Sequence, residues 1–216
     1  MSKDIVLVGG GNSIREQLPL LWDKLKESKA EIWSINFAFM CMPFLPSREI
    51  WVDISFFRNN METLQKLQAQ SVKCCCKKHM SYANISEITT YEATRDPKEM
   101  DRKIYIGRMG LGGFFALHLA IKENSENIYL LGFDFGSNSS KTHFYQDVIE
   151  VKSTGVGKPE LYRNGTNIKD EVSDWQYFTS PDIKTKIYNV SPESSITCFE
   201  KINYERFYSK LNENRD

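Results

Sequence analysis

The sequence has no long hydrophobic run and no excess of either charge. No apolar stretch reaches the roughly 20 residues that a membrane-spanning helix needs, so we expect no membrane span. Lysines and arginines total 28, as do aspartates and glutamates, so the formal net charge is zero. This balance excludes a global attraction to nucleic acid or to an anionic membrane. The first residues, MSKDIVLVGG, lack the pattern of a cleaved signal peptide.

Cysteines and histidines are also few. The five cysteines are at positions 41, 74, 75, 76 and 198, and there are three histidines. An odd number of cysteines, three of them adjacent, argues against a disulfide framework and predicts a cytoplasmic protein. Adjacent side chains of a strand point to opposite faces, so the cysteine triplet with His79 is poorly spaced for zinc. We therefore predict no metal ligands.

The chain does have an alternation of apolar strands and amphipathic helices. Strands are predicted at residues 4–9, 31–36, 49–54, 71–77, 85–93, 103–107, 127–135 and 185–191. Helices are predicted at residues 13–27, 60–70, 112–124 and 195–214. Repeated β-α-β units with nearly all-apolar strands predict an α/β fold, a Rossmann-like and mostly parallel sheet with helices on both faces. At 216 residues and 41% hydrophobic, the chain suits a single domain, residues 1–216.

The alternation of strands and helices is absent between residues 136 and 182, which are rich in Ser, Gly, Asn, Lys and Asp. A stretch of this length before the predicted last strand indicates a loop-rich lid or an acceptor-binding insertion. His143 lies within it. Histidine titrates near neutral pH, so His143 is the best candidate for a general base.

A glycine-rich turn links the first strand to the first helix. It consists of Gly9, Gly10, Gly11, Asn12 and Ser13. Glycines let the backbone approach a ligand closely, and the N–H groups at a helix start favour an anion. The turn is neither G-x-G-x-x-G nor a P-loop. We predict that it binds a nucleotide or phosphate; the alternative is a tight turn of the kind common in α/β proteins.

A second strand-glycine-helix unit follows at YIGRMGLGGFFALHLA. Arg108 lies within its turn, with Gly110, Gly112 and Gly113. An arginine offers a fork of donors suited to phosphate, so this turn is a second predicted anion site. The alternative is that the glycines only permit close packing of the helix.

Polar side chains are expected at the carboxyl ends of three strands, the edge at which such sheets bind ligands. Asn36 closes the second predicted strand, Asp53 lies near the end of the third, and Asp134 follows the apolar run NIYLLGF. Asp134 could hold a ribose hydroxyl, a base amino group or a metal, or it could cap a turn of its own backbone. His118, inside FFALHLAI, is expected to be a core residue.

Five segments, in order, resemble a Rossmann-like superfamily. They are IVLVGGGNSIRE, SINFAF, GRMGLGGFFALHLAI, NIYLLGFDFG and KIYNVSPESSI. The superfamily includes the sialyltransferases of glycosyltransferase family 42, which use a CMP-sugar donor, and the MptE-like (DUF115) group. Archaeal members of the latter are diphosphokinases that use ATP and magnesium.

The resemblance implies a transferase that binds a nucleotide-activated donor, most specifically a nucleotide-sugar-dependent glycosyltransferase with an unidentified acceptor. The donor nucleotide would lie on the turns described above, on Asn36 and on Asp134. Arg108 would offset charge on the leaving nucleotide, and His143 or Asp53 would take a proton from the acceptor. No cofactor is implied with certainty. The alternatives are an MptE-like diphosphokinase, for which Mg²⁺ is implied, and a non-catalytic nucleotide-binding module. A chain this short with exposed aromatics can also form homo-oligomers.

Overall fold

The computed structural model describes residues 3–66, 72–76, 88–107, 110–135, 143–145 and 172–213. Strands in these ranges are β1 (Ile5–Val8), β2 (Glu31–Ile35), β3 (Arg48–Ile50), β4 (Val72–Cys76), β5 (Ile88–Tyr91), β6 (Ala93–Thr94), β7 (Ile104–Tyr105), β8 (Asn127–Leu131), β9 (Lys186–Asn189) and β10 (Glu200–Lys201). The α-helices are α1 (Leu20–Glu27), α2 (Ile54–Lys66), α3 (Gly112–Lys122) and α4 (Tyr204–Glu213).

Eight of the strands form one sheet, in the order β10-β9-β8-β1-β2-β3-β4-β5. Its strand pairings are parallel, and Ile5 of β1 stands opposite Glu31 of β2 and Ile128 of β8. Strands β6 and β7 form a separate parallel pair. The predicted Rossmann-like, parallel α/β fold is confirmed.

The sheet is covered on both faces, which explains why its central strands are apolar throughout. All four residues of β1 are fully buried. Val6 and Val8 pack with α1 and α4 in one hydrophobic cluster, whereas Ile5 and Leu7 pack with α3 in the other. Strand order reverses at β1, because the chain continues to β2 on one side and returns to β8 on the other. This reversal places the expected ligand crevice between the carboxyl ends of β1 and β8.

The helix predicted at residues 13–27 is interrupted. A 3-10 helix spans Asn12–Gln17, and α1 begins only at Leu20, after Pro19. The cause is proline, which lacks the N–H of a helix interior and disfavours helical backbone in the residue before it. Leu18 is accordingly extended, with φ −77° and ψ 142°.

The strand predicted at 49–54 and the helix predicted at 60–70 have different bounds. Strand β3 ends at Ile50, and α2 begins at Ile54, where the Phe57 N–H donates to the Asp53 carbonyl at 3.2 Å. Of the predicted strand, residues 51–53 lie between β3 and α2, and Ile54 is the first residue of the helix, whose Phe56 and Phe57 are both buried. Asn60 has a non-helical backbone inside α2.

The last predicted helix, 195–214, is shorter than expected. Residues Glu200–Lys201 extend the sheet as β10, and α4 begins only at Tyr204. The stretch 136–182 lies largely outside the described residues, but its end contains a 3-10 helix, Trp175–Thr179, that the sequence reading missed. In the part of the chain that is described, no helix combines the length and apolar character needed to cross a bilayer.

Candidate functional site

The turns after β1 and β8 are hydrogen-bonded to each other. The Gly9 N–H donates to Leu131 O at 2.8 Å, and the Gly11 N–H donates to Gly132 O at 2.8 Å. A Cβ atom on Gly11 would lie 2.5 Å from Gly132 O, closer than real Cβ atoms approach an oxygen. The glycine run therefore permits these two turns to join at the point where the strand order reverses.

Asp134 binds the start of the helix that follows the first turn. Its Oδ2 accepts the Ser13 N–H at 2.8 Å, and its Oδ1 accepts the Ser13 hydroxyl at 2.5 Å. Its carboxylate is nearly buried, at 7% exposure of the residue. It thus occupies the end of the 3-10 helix at which negative charge is favoured. This contact joins Asp134 to a residue 121 positions away, whereas the capping alternative concerned its own turn, and a role of Asp134 in nucleotide binding stays a prediction.

The loop after β9 completes this network through serines that the sequence reading did not select. The Ser191 hydroxyl lies 3.1 Å from that of Ser13. Ser194 Oγ donates to Phe133 O at 2.5 Å, and the Ser195 N–H donates to Asp134 O at 3.0 Å. A cluster of serines directly after a strand of a parallel sheet, SPESS, was the available signal.

His143 lies over the first turn, as the sequence suggested. A Cβ on Gly10 would be 2.5 Å from His143 Cδ2 and 2.9 Å from the Tyr145 hydroxyl. The Phe144 N–H donates to Gly10 O at 3.0 Å, and the buried Phe144 ring packs against Trp22. This short segment is therefore fixed to the turn by both backbone and side-chain contacts.

The pKa values at this site are set mainly by burial. Burial lowers the pKa of His143 from 6.5 to about 4, and the negative charge of Asp134 opposes the shift. The imidazole is therefore neutral at pH 7 and can accept a proton, although it is a weaker base than an exposed histidine. Burial also raises the pKa of Tyr204, whose hydroxyl donates to Ser13 O at 3.4 Å, so this phenol stays protonated.

Two asparagines expected at the site carry amide oxygens that have no hydrogen-bond partner among the described residues. They are Asn12 Oδ1 and Asn36 Oδ1, and both atoms are buried. Asn36 directly follows β2 and has a left-handed backbone with φ 55°, which asparagine tolerates. Buried oxygens without partners are uncommon in folded proteins and require an explanation.

The second glycine turn is closely packed. A Cβ on Gly112 would lie 2.9 Å from Ile35 Cγ2 and 3.7 Å from Asn36 Nδ2, and one on Gly113 would lie 3.0 Å from Phe133. These contacts agree with the alternative that the glycines permit α3 to approach the sheet. They also bring the turn beside Asn36 on the same edge.

The remaining predicted site residues have different placements. Asp53 is exposed and precedes α2 instead of lying within a strand. Arg108 lies outside the described residues. Gly110 is described, and its neighbour is Arg95, whose Nη2 would lie 3.2 Å from a Cβ on this glycine. Arg95 is a cation that the sequence reading missed, because 15 residues separate it from the turn it contacts.

His118 is a core residue, as expected. It is 5% exposed, and its Nδ1 accepts the Tyr105 N–H at 2.7 Å. Burial lowers its pKa from 6.5 to about 4.

Among the residues that the structure describes, no three His, Cys, Asp or Glu side chains are grouped so as to hold a metal ion. The donor set expected for Mg²⁺ is therefore not assembled by the described residues. Neither a known protein family nor a curated protein matches the chain in sequence.

Proposed function

We propose that this protein is a transferase that binds a nucleotide-activated donor at the carboxyl ends of β1, β2 and β8. A nucleotide-sugar-dependent glycosyltransferase is the most specific form of the proposal. The main support for this proposal is a pair of buried amide oxygens, Asn12 Oδ1 and Asn36 Oδ1, that have no partner among the described residues. They follow neighbouring parallel strands, at the edge at which such sheets bind nucleotides.

Unpaired oxygens at this edge favour a ligand that donates hydrogen bonds. The exocyclic amino group of a base and the hydroxyls of a ribose are such donors. A buried acceptor without a partner costs free energy, about 1–3 kcal/mol, and a ligand that donates to it recovers this cost. Asp134 adds a carboxylate on the same edge. The acceptor-rich first turn thus suits the nucleoside part of the donor better than its phosphates.

The reaction needs a base for the acceptor hydroxyl. His143 takes the proton while the acceptor oxygen bonds to the anomeric carbon, and the bond from that carbon to the phosphate oxygen breaks. The nucleotide leaves with the bonding electron pair. The charge of Asp134 favours the protonated imidazole that results, as the opposing influence on the His143 pKa indicates. Asp53 is the other candidate base, and Arg108 would offset charge on the leaving nucleotide.

A non-catalytic nucleotide-binding module is the second candidate. It is favoured by the low pKa of His143, which makes this side chain a weak base at pH 7. The magnesium-dependent diphosphokinase has less support, since pyrophosphoryl transfer needs a metal clamp on the phosphates.

The test is a thermal-shift panel of nucleotides and nucleotide sugars, each with and without Mg²⁺, followed by assay of nucleotide release with candidate acceptors. A specific ligand raises the melting temperature by mass action. A nucleotide sugar that stabilises the protein without magnesium, and releases nucleotide with an acceptor, supports the glycosyltransferase. Binding without turnover supports the module, and ATP binding that requires magnesium supports the diphosphokinase.

Asparagine variants sharpen the test. Asn12→Ala removes an oxygen that has no partner among the described residues, so we expect little loss of stability but loss of the ligand-induced shift. Asn189→Ala is the matched control, since Asn189 is fully buried and makes two hydrogen bonds, to Ile196 O and from the Ser191 N–H. We expect this control to cost about 1–3 kcal/mol of stability. If Asn12→Ala leaves the ligand shift intact, the amide oxygen is not part of the site.

A further inference from the structure

A surface pocket lies near Gly110 of the second glycine turn. The described residues that line it are Arg95, Asp96, Pro97, Tyr105 and Tyr177, and its volume is about 530 Å³. Small-molecule sites typically have volumes of about 300–1,000 Å³. The cavity, here called the Arg95 pocket, contains none of the residues assigned above to the donor.

Arg95 supplies the pocket with an uncommitted positive charge. Among the described residues, no carboxylate or carbonyl pairs with its guanidinium. Its Nη2 would lie 3.2 Å from a Cβ on Gly110, so the side chain lies along the turn before α3. A free guanidinium presents five N–H donors in a plane that matches phosphate or carboxylate.

Tyr177 provides an exposed aromatic ring that Tyr105 supports from below. Tyr105 is fully buried, and its hydroxyl donates to the buried Asp174 at 3.1 Å. Tyr177 packs edge-to-face against it, with ring centroids 5.6 Å apart, yet is 45% exposed. An exposed aromatic ring held by a fixed neighbour is a suitable contact for a planar ligand group.

The polar side of the pocket is held in place before any ligand binds. Thr94 Oγ1 accepts the Asp96 N–H at 3.0 Å and donates to Glu99 at 2.7 Å. Asp96 Oδ1 accepts the Lys98 N–H at 3.0 Å, so one oxygen of this carboxylate is used within its own turn. A preformed site loses less entropy on binding. The carboxylate of Asp96 also directs an anionic group to the Arg95 side of the pocket.

We propose that the Arg95 pocket binds a small planar organic anion, with its phosphate or carboxylate on Arg95 and its ring against Tyr177. This site does not depend on the transferase proposal, because none of its lining residues belongs to the donor site.

The experiment uses the full chain and phenyl phosphate as the probe, with binding measured by ligand-observed NMR and by thermal shift. Benzoate, inorganic phosphate and phenol are run in parallel. We expect phenyl phosphate or benzoate to bind more tightly than inorganic phosphate and phenol, since each of the latter lacks one of the two contacts. Which of the two binds better identifies the anionic group.

Variants locate the contacts. Arg95→Ala should raise the dissociation constant by about tenfold or more, because a charge-assisted hydrogen bond is lost. The dissociation constant of Arg95→Lys should lie between those of wild type and Arg95→Ala, since lysine keeps the charge but not the planar fork. Arg102→Ala is the control, because Arg102 is an exposed arginine beside Asp101 outside the pocket lining. Tyr177→Ala should weaken the binding of phenyl phosphate and leave the binding of inorganic phosphate unchanged.

Two results would overturn the proposal. One is the absence of phenyl phosphate and benzoate binding to the wild-type chain. The other is a failure of Arg95→Ala to weaken binding more than its control does. Binding equal to wild type would show that Arg95 is not a contact, and weakening equal to that of Arg102→Ala would indicate a nonspecific charge effect. All the substituted arginines and Tyr177 are exposed, so the variants are expected to fold; an unchanged unfolding midpoint verifies this.

Discussion

Ser13 donates both its backbone N–H and its hydroxyl to the carboxylate of Asp134, although 121 positions separate the two residues. This contact joins the turn after β1 to the turn after β8. Its position at the reversal of strand order makes it the structural centre of the candidate site. It also shows that a single carboxylate can join two distant turns at the place where the sequence suggested a ligand contact or a local cap.

Asp134→Ala should destabilise the protein by about 1–3 kcal/mol, because the partly buried Ser13 N–H loses its acceptor. The measurement is urea unfolding of Asp134→Ala, of Ser13→Ala and of the double variant. Ser13→Ala removes only the hydroxyl and should cost less, and the double variant should cost less than the sum of the two. Asp101→Ala is the control on an exposed carboxylate and should stay within about 0.5 kcal/mol of wild type. Additive effects of Ser13→Ala and Asp134→Ala would contradict the coupling.

Gly11→Ala should be more destabilising than Gly113→Ala. Gly11 has an ordinary φ of −60°, so the cost comes from the new Cβ, which would lie 2.5 Å from Gly132 O and 2.6 Å from Asp134 Cγ. Overpacking of this kind costs about 1–3 kcal/mol. At Gly113 the nearest atom is a ring carbon at 3.0 Å, and alanine is the better helix former by about 1 kcal/mol. Denaturant unfolding compares the two; equal destabilisation would show that the join between the turns can relax.

The elements that the sequence predicted well are those with a strong local pattern. Strands β1 and β8 are uninterrupted apolar runs, and α3 follows a glycine turn with an apolar surface on all sides. The same local reasoning placed His118 in the core. Such features depend on a few neighbouring residues, and the parallel sheet then follows from their alternation.

The features that the sequence did not predict depend on distant contacts. Trp175 and Phe178 are fully or almost fully buried, although they occur at the end of a long polar stretch. Trp175 stacks on Phe114 of α3 with ring centroids 4.1 Å apart, which no local pattern indicates. The position of Arg95 beside Gly110 depends likewise on the tertiary fold. The sequence therefore identified the edge that carries the site, but not which side chains close it.

Acid should destabilise the protein through His143 and His118, whose pKa values are both lowered to about 4 by burial. Between about pH 6.5 and 4 the unfolded chain takes up protons that the folded chain does not, so stability falls as the pH falls through this range. A shift of this size corresponds to as much as about 3 kcal/mol for each histidine.

The measurement is urea unfolding of wild type, His143→Gln and His118→Gln from pH 7 to pH 5, where ordinary carboxylates contribute little. Each variant should show a weaker loss of stability toward pH 5 than wild type. His118→Gln should also lower stability at pH 7, since Nδ1 accepts a backbone N–H. A pH dependence identical to wild type in His143→Gln would mean that folding does not lower the pKa of this ring.

Glu49 should have the opposite pH dependence. It is fully buried between β2 and β4, and burial raises its pKa well above 4.5, although the Ser34 hydroxyl donates to it. Its Oε1 has no partner among the described residues. Above pH 4.5 the unfolded chain releases this proton and the folded chain keeps it. Stability should therefore fall as the pH rises, by up to about 1.4 kcal/mol per pH unit for one proton.

Glu49→Gln removes this titration and keeps an acceptor for Ser34, so its advantage over wild type should grow from pH 5 to pH 8 in urea unfolding. Glu31→Gln on β2 is the matched control, for which the pH dependence of stability should have the opposite direction. Burial alone would raise the pKa of Glu31, but hydrogen bonds from Lys3 and Trp33 hold it below 4.5. Glu31→Gln should therefore be less stable than wild type at pH 7 and approach it in acid. If Glu49→Gln is less stable than wild type and the difference grows as the pH rises, the carboxylate is ionised in the folded protein.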